Sequence, residues 1–256
     1  MYLEWKQKLQ ARSAALLLSI EGRLDRLMMG WLLVAGLATA VRIAASPLPA
    51  PIGAAGVFPY LLLILAPFAS MVLALRWFAD GDRLPQPAVR LARAGRWMTV
   101  TAAAARAHPL YGTSGLMVSL LVGMLINVPV RAAEYLAALP ALGGQIPQWL
   151  STLHMVMTLD VVLLSSLYTI AFVAALRRVP LFPRLLAAIW VVDLVMQLSI
   201  AKVTVAVGGL PDSVAAALGS LLEGNIKKVL ISVALWLPYL LMSARVNVTY
   251  RSRVPA

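Results

Sequence analysis

The sequence predicts an all-α membrane protein: a polytopic bundle of about six transmembrane helices, with amphipathic helices on the membrane surface. Of its 256 residues, 61% are hydrophobic and only 12% are charged, whereas a soluble domain carries about 25% charged residues. Six apolar runs have the roughly 20 residues that a helix needs to cross about 30 Å of hydrocarbon. The basic residues beside these runs fall mostly on one side, the pattern that orients membrane proteins.

The apolar runs define the predicted spans to within a few residues at each end. They are Met28–Ser46, Val57–Phe78, Leu110–Val130, Met155–Leu176, Leu185–Val205 and Ile226–Met242. If the chain crosses at each run, 17 of its 22 Lys and Arg residues share one side: five in the N-terminal arm, six around the loop after the second span, three before the fifth span and three in the tail. This bias predicts a multi-pass membrane protein with both termini in the cytoplasm.

Three further stretches are expected to lie on the membrane rather than across it, within a single integral membrane domain of residues 1–256. The N-terminal arm, residues 1–27, places apolar residues mostly three and four apart with charges between them, which suits an interfacial helix on the cytoplasmic side. Residues 88–107 mix apolar and basic residues in a similar way. Val214–Glu223 reads as a short helix against the outer leaflet, starting after Asp212-Ser213 and stopping at Gly224-Asn225.

The formal net charge of +12 would suggest nucleic-acid binding in a soluble protein. Here the basic residues cluster beside apolar runs, where they meet anionic lipid headgroups. We therefore expect membrane lipid as the partner, with anionic headgroups at the cytoplasmic face, and no nucleic acid. A membrane-protein partner is compatible with the same surfaces.

The sequence offers little for catalysis or for a cofactor. The chain contains no cysteine, which excludes thiolate metal sites and disulfides. It has no zinc-protease, nucleophile-elbow, P-loop or dinucleotide motif. His108 and His154 precede spans on opposite sides, so they do not form an axial haem pair. We expect a protein that is not an enzyme and that holds no cofactor and no metal.

Polar residues inside the spans are the candidates for function. A charged side chain at the bilayer centre costs about 2.5–3.5 kcal/mol on insertion scales, yet Asp160 lies one turn inside the predicted fourth span and Asp193 lies near the middle of the fifth. Gln197 follows Asp193 by four residues and shares its helix face. Arg42 and Lys202 lie at a depth where either could neutralise Asp160, and Asn127 in the third span lies at a similar depth. This network either forms a proton, cation or solute pathway or holds the helices together as a buried ion pair.

The tail carries a family resemblance. Its motifs are Trp236-Leu237-Pro238-Tyr239, Ser243-Ala244-Arg245-Val246 and Thr249-Tyr250. They resemble the ending of domain of unknown function 2569, a bacterial inner-membrane family, although Leu240 and Tyr250 stand where that family usually has Phe. Gly30-Trp31-Leu32 and the basic turn Arg177–Arg184 resemble its opening and its second connection.

The resemblance implies a location in a bacterial inner (cytoplasmic) membrane and a topology. It implies no activity, because the family has none assigned. Its members usually have four spans, so spans two and three would form an inserted hairpin over residues 50–140. The leading hypothesis is a non-catalytic accessory or assembly component of the membrane. The alternative is a small transporter or channel that uses Asp160, Asp193 and Gln197.

Overall fold

The computed structural model describes residues 2–46, 53–89, 95–144 and 146–256, and only the backbone of residues 2–10, 54 and 55. Within these ranges six helices are long and apolar enough to cross a membrane, which makes the chain a multi-pass helical membrane protein. These six helices are α2 (Leu24–Ala44), α3 (Ala54–Trp77), α5 (Leu116–Ala138), α6 (Gln148–Leu176), α7 (Phe182–Val207) and α8 (Asp212–Met242). The predicted fold class is confirmed.

The remaining elements are short or lie at the chain ends. Helix α1 spans Tyr2–Glu21, α4 spans Ala102–Ala107 and α9 spans Ala244–Arg251, and a single 3₁₀ turn covers Gly81–Arg83. Strands β1 (Trp97–Thr99) and β2 (Arg253–Pro255) pair antiparallel, with Met98 opposite Val254. This pairing attaches the C-terminal tail to the connection between α3 and α5.

Helix α6 lies at the centre of the bundle. In an apolar stretch of 18 residues of α6, 67% of the residues are buried, against 11% in the corresponding stretches of α2 and α8. Residues 171–176 of α6 are buried one after another, so neighbouring helices cover every face of this turn, as expected of a helix that is apolar all round. Helices α3, α5 and α7 pack on α6, while α2 and α8 lie at the periphery.

Both chain ends contact the connection between α4 and α5. The Gly115 amide donates to Ser13 of α1 at 2.9 Å, and the Gly112 amide donates to Thr249 of α9 at 3.0 Å. We call this end of the bundle the terminal end. At the opposite end, Arg42 in the last turn of α2 donates through Nε to the Leu139 carbonyl at 2.9 Å.

Two predicted boundaries were wrong in the same region of the chain. The third span begins at Leu116 rather than Leu110, because Gly112 and Gly115 have φ of 108° and 72°, a conformation that a helix cannot contain. The same helix continues to Ala138 instead of ending at Val130. Arg131 therefore lies inside the bundle and not in the loop beyond it.

The short outer helix Val214–Glu223 was also predicted wrongly, since α8 is continuous from Asp212 to Met242. Gly224 costs a helix only about 1 kcal/mol relative to alanine, and Asn225 is buried with its side chain bonded to Gln197. The pair Gly224-Asn225 therefore does not stop the helix.

The predicted surface helix over residues 88–107 is only partly present. Trp97–Thr99 form strand β1, and helix covers only Ala102–Ala107; residues 90–94 lie outside the described part of the chain. In the N-terminal arm, α1 is helical as expected, while residues 24–27 already belong to α2.

Candidate functional site

Arg131 joins three transmembrane helices in the interior of the bundle. Its Nη1 lies 3.3 Å from Oδ2 of Asp160 on α6, and its Nη2 bonds Oδ2 of Asp193 on α7. The side chain of Arg131 is 9% exposed and that of Asp193 is 0% exposed. One guanidinium thus bridges two carboxylates, which explains how two acids remain within the membrane-spanning part of the fold.

Asp193 accepts further hydrogen bonds. The Tyr168 hydroxyl on α6 donates to its Oδ2 at 3.0 Å, and Gln197 Nε2, one turn along α7, lies 3.4 Å from its Oδ1. The Tyr168 ring also faces the Arg131 guanidinium, 5.7 Å from the ring centroid. Asp193 is therefore held by donors from α5, α6 and its own helix.

Gln197 extends these contacts to α8. It donates from Nε2 to Oδ1 of Asp160 at 3.0 Å and accepts from Nδ2 of Asn225 through Oε1 at 3.3 Å. Its Nε2 thus lies within reach of both acids. The α7 face that carries Asp193 and Gln197 is the link between the ion-paired residues and the peripheral helix α8.

A second ion pair connects α5 with α8. Lys228 Nζ bonds the Glu134 carboxylate and lies 3.4 Å from Oδ1 of Asn225. The Lys228 side chain is 57% exposed and that of Glu134 is 27% exposed, so this pair is far more accessible than the Arg131 pairs. We refer to the connected side chains together as the polar network. Its members are Arg131, Glu134, Asp160, Tyr168, Asp193, Gln197, Asn225 and Lys228.

Cavities lie on both sides of the polar network. A cavity of about 260 Å³ extends from it toward the terminal end, past Gly123 of α5, Trp190 of α7 and Trp236 of α8. We call it the large cavity because it is the larger of the two spaces beside the network. A void of about 10 Å³ lies on its other side, lined by Met157 and Leu221. Arg131, Glu134 and Asn225 line both spaces, so the polar network separates them.

A smaller cluster adjoins the network on α5. The Tyr135 hydroxyl lies 2.8 Å from Oγ1 of Thr158 and 3.4 Å from Nε2 of His154. The ring of Tyr60 on α3 meets both Tyr135 and His154 edge-on, with centroids 6.2 Å apart in each case. These side chains pack α3, α5 and α6 together near the opposite end of the bundle.

The structure brings together some of the residues that the sequence singled out and separates others. Asp160, Asp193 and Gln197 belong to one network, and Asn127 lines its large cavity. Arg42 and Lys202 were wrong as counterions, because Arg131 pairs with Asp160. Arg42 binds the Leu139 carbonyl instead, and Lys202 is exposed on α7.

Arg131, Glu134, Tyr168, Asn225 and Lys228 were missed. Arg131 was assigned to a loop because it follows the predicted end of the third span. A usable signal was present, since the chain continues past Arg131 with Ala132, Ala133, Tyr135 and Leu136, enough apolar residues to extend the helix by two turns.

The tail motif organises the terminal end of the bundle. Trp236 packs edge-on against Tyr239 with centroids 5.9 Å apart, and Pro238 lies inside α8. Helix α8 ends at Met242, after which Arg245 Nη1 reaches the Leu110 carbonyl at 3.3 Å. Trp236 also lines the large cavity, so one residue of this motif belongs to the candidate site.

Basic side chains gather beyond the motif. Arg251 is buried and donates to the Leu240 carbonyl at 2.8 Å. Burial, together with the charges of Arg253 and Arg184, lowers the pKa of Arg251 to about 10. The Tyr250 hydroxyl donates to the Ala175 carbonyl at 2.9 Å, and burial raises the pKa of this phenol.

Comparison with known proteins adds no relative: no family model, no curated protein and no solved structure matches this chain. The fold and the site define a multi-pass helical membrane protein whose transmembrane helices meet around a network of charged side chains.

Proposed function

We propose that this protein is a small transporter of a bacterial inner membrane, and that it moves a small polar solute past Asp160, Asp193 and Gln197. The observation that carries the proposal is the placement of the polar network between two cavities within the bundle. A carrier needs a solute site at mid-membrane and a barrier that closes one side of it. The large cavity supplies the first, and the ion-paired side chains supply the second.

The cost of the charges supports a role beyond packing. Five charged side chains from α5, α6, α7 and α8 take part in the network. Well-packed apolar residues of similar volume often stabilise a fold as much as a buried ion pair does, or more. Ionisable groups within spans usually mark ion or substrate pathways, and here they also border a cavity.

The direction of opening follows from the same geometry. The large cavity extends toward the terminal end, and the positive-inside bias supports a cytoplasmic location for that end. The conformation described here is then the one that receives or releases solute on the cytoplasmic side. Anionic lipid headgroups are the proposed partners of the basic residues at that end.

A non-catalytic accessory or assembly component is the second candidate. It is favoured by the complete burial of Asp193, whose carboxylate accepts from Arg131, Tyr168 and Gln197. In that case the network only fixes how α5, α6 and α7 pack, and a similar bundle could serve as the binding surface for another membrane protein.

The two candidates differ in what Asp193→Asn does in the cell. For a transporter we expect membrane levels close to wild type but the same phenotype as the gene deletion, because Asp160 still pairs with Arg131 and the fold is kept. For a packing role, the deletion phenotype appears only together with a fall in the membrane level of the protein. Asp160→Asn is the companion variant, and Ser199→Asn on the exposed face of α7 controls for an added amide in the same helix.

A further inference from the structure

Resting on the proposed transport function, we infer that the large cavity binds a small organic ammonium cation. Two features of the site support this inference: the charge balance of the polar network and the aromatic side chains that line the cavity beside it.

The polar network has one negative charge in excess. Asp160, Asp193 and Glu134 contribute three carboxylates, whereas Arg131 and Lys228 contribute two bases. An uncompensated charge in a medium of low polarity is costly, and the attraction between it and a counterion is strong there. A monovalent cation in the adjoining cavity would make the cluster neutral.

The position of the acids favours the cavity as the place for that cation. Glu134 and Asp193 line it directly, and Asp160 lies behind Arg131 on the side of the small void. Glu134 is partly exposed and is held by Lys228 on the peripheral helix α8. Its carboxylate is thus the one most easily turned from the ion pair toward a ligand.

The walls of the cavity suit an organic cation better than a metal ion. Trp190 and Trp236 line it from α7 and α8, and indole rings attract alkylammonium groups through cation–π contact. The cavity volume of about 260 Å³ is several times the roughly 30 Å³ that one water occupies. A bare metal ion would need several oxygen ligands at short range, while an ammonium ion with alkyl groups fills the space.

Asn127, Asn225 and Ser232 add polar side chains to the same walls. They would serve hydroxyl or carbonyl groups on the ligand without adding charge. The ligand class is therefore a small monovalent ammonium compound, such as a quaternary or secondary amine with one or two further polar atoms.

The test compares three molecules of nearly the same shape that differ in charge. Choline is the cation, 3,3-dimethylbutan-1-ol is its uncharged analogue, and 3,3-dimethylbutanoate is an anion. Binding to the purified full chain in lipid nanodiscs is measured by isothermal titration calorimetry. We expect choline to bind at least tenfold more tightly than the alcohol, and the anion to bind more weakly than either.

Two variants of one ion pair sharpen the test. Glu134→Gln removes the excess negative charge, so choline affinity should fall at least tenfold. Lys228→Gln increases the excess, so choline affinity should rise. A pair that only holds α5 to α8 would move affinity in the same direction in both variants. Glu223→Gln, which breaks the exposed pair between Glu223 and Lys227 on α8, is the matched control and should change nothing.

Several outcomes would overturn the inference. They are equal binding of the alcohol and choline, tighter binding of the anion, the same direction of change in Glu134→Gln and Lys228→Gln, and no binding of choline at millimolar concentration. The last would mean that a proton alone neutralises the network. None of these results touches the transport proposal, which depends on the Asp193→Asn phenotype and on access of water to the cavity.

Discussion

Arg131 and Asp193 form an ion pair between α5 and α7 in the interior of the bundle, and Arg131 binds Asp160 of α6 at the same time. Three helices are thus fixed by one guanidinium. The consequence is an asymmetry: either acid can be neutralised while the other still pairs with Arg131, whereas loss of Arg131 leaves both carboxylates buried without their base.

Replacement of Arg131 should therefore be the most damaging change in the network. For Arg131→Gln we expect a loss of about 3–5 kcal/mol in the free energy of unfolding, the usual result of leaving a buried charge unpaired. For Asp193→Asn or Asp160→Asn we expect about 1–3 kcal/mol, the cost of one imperfect buried hydrogen bond. Unfolding by denaturing detergent in mixed micelles measures all three. Equal losses for the three variants would contradict the shared-pair geometry.

The Tyr168 hydroxyl should be coupled to Asp193. Tyr168→Phe removes the donor at 3.0 Å from the carboxylate but keeps the ring beside Arg131, so we expect a loss of about 1.5–3 kcal/mol, typical of a hydrogen bond to a charged group. In the Asp193→Asn background the same change should cost clearly less. A double-mutant cycle from the same unfolding assay gives the coupling, and strict additivity would argue against the bond.

These two predictions also mark what the sequence could and could not provide. The acids stand out in the sequence because charge is rare inside apolar runs, and six helices follow from run length. The partner of the acids depends on how far α5 extends and on how three helices are rotated about their axes. The apolar residues after Arg131 do indicate that α5 continues, but no local pattern fixes how the helices are rotated. Arg42 and Lys202 were therefore chosen as partners of the acids in place of Arg131.

Gly123 offers a way to fill the large cavity without crowding the helix. It lines the cavity on α5, and a Cβ built there meets nothing within 4 Å. We expect Gly123→Leu to reduce transport and choline binding at least tenfold while protein stability stays at or above wild type, because glycine is unfavourable inside a helix. Gly36→Leu on α2, where a Cβ is also unobstructed, is the control. Unchanged transport in Gly123→Leu would contradict the cavity's role.

Anionic lipid should stabilise the terminal end of the bundle. Burial is the first cause of the lowered pKa of Arg251, and the charges of Arg253 and Arg184 add to it. Anionic headgroups near Arg253 and Arg184 would relieve the repulsion among these arginines. We expect a higher Tm in phosphatidylglycerol nanodiscs than in phosphatidylcholine nanodiscs. The difference should shrink at high salt and in Arg184→Gln. A Tm independent of lipid charge would argue against lipid as a partner of this cluster.

The central claim, that water and solute reach the polar network from the terminal end, is tested most directly by cysteine labelling. The chain has no cysteine of its own, so Ser232→Cys and Ser199→Cys each place one thiol in a clean background. The two serines are matched, because each hydroxyl donates to the carbonyl four residues earlier, at 2.9 Å and 2.7 Å. Ser232 lines the cavity, whereas Ser199 is exposed on the surface of α7.

The measurement is the rate of modification by a membrane-impermeant maleimide, applied to inside-out vesicles and to intact spheroplasts. The thiolate forms only where water reaches the sulfur. We expect Ser232→Cys to react in inside-out vesicles and to be protected from reagent added outside, while Ser199→Cys stays unreactive from either side. If Ser232→Cys reacts from neither side, the interface is dry, and this result would contradict the proposed pathway.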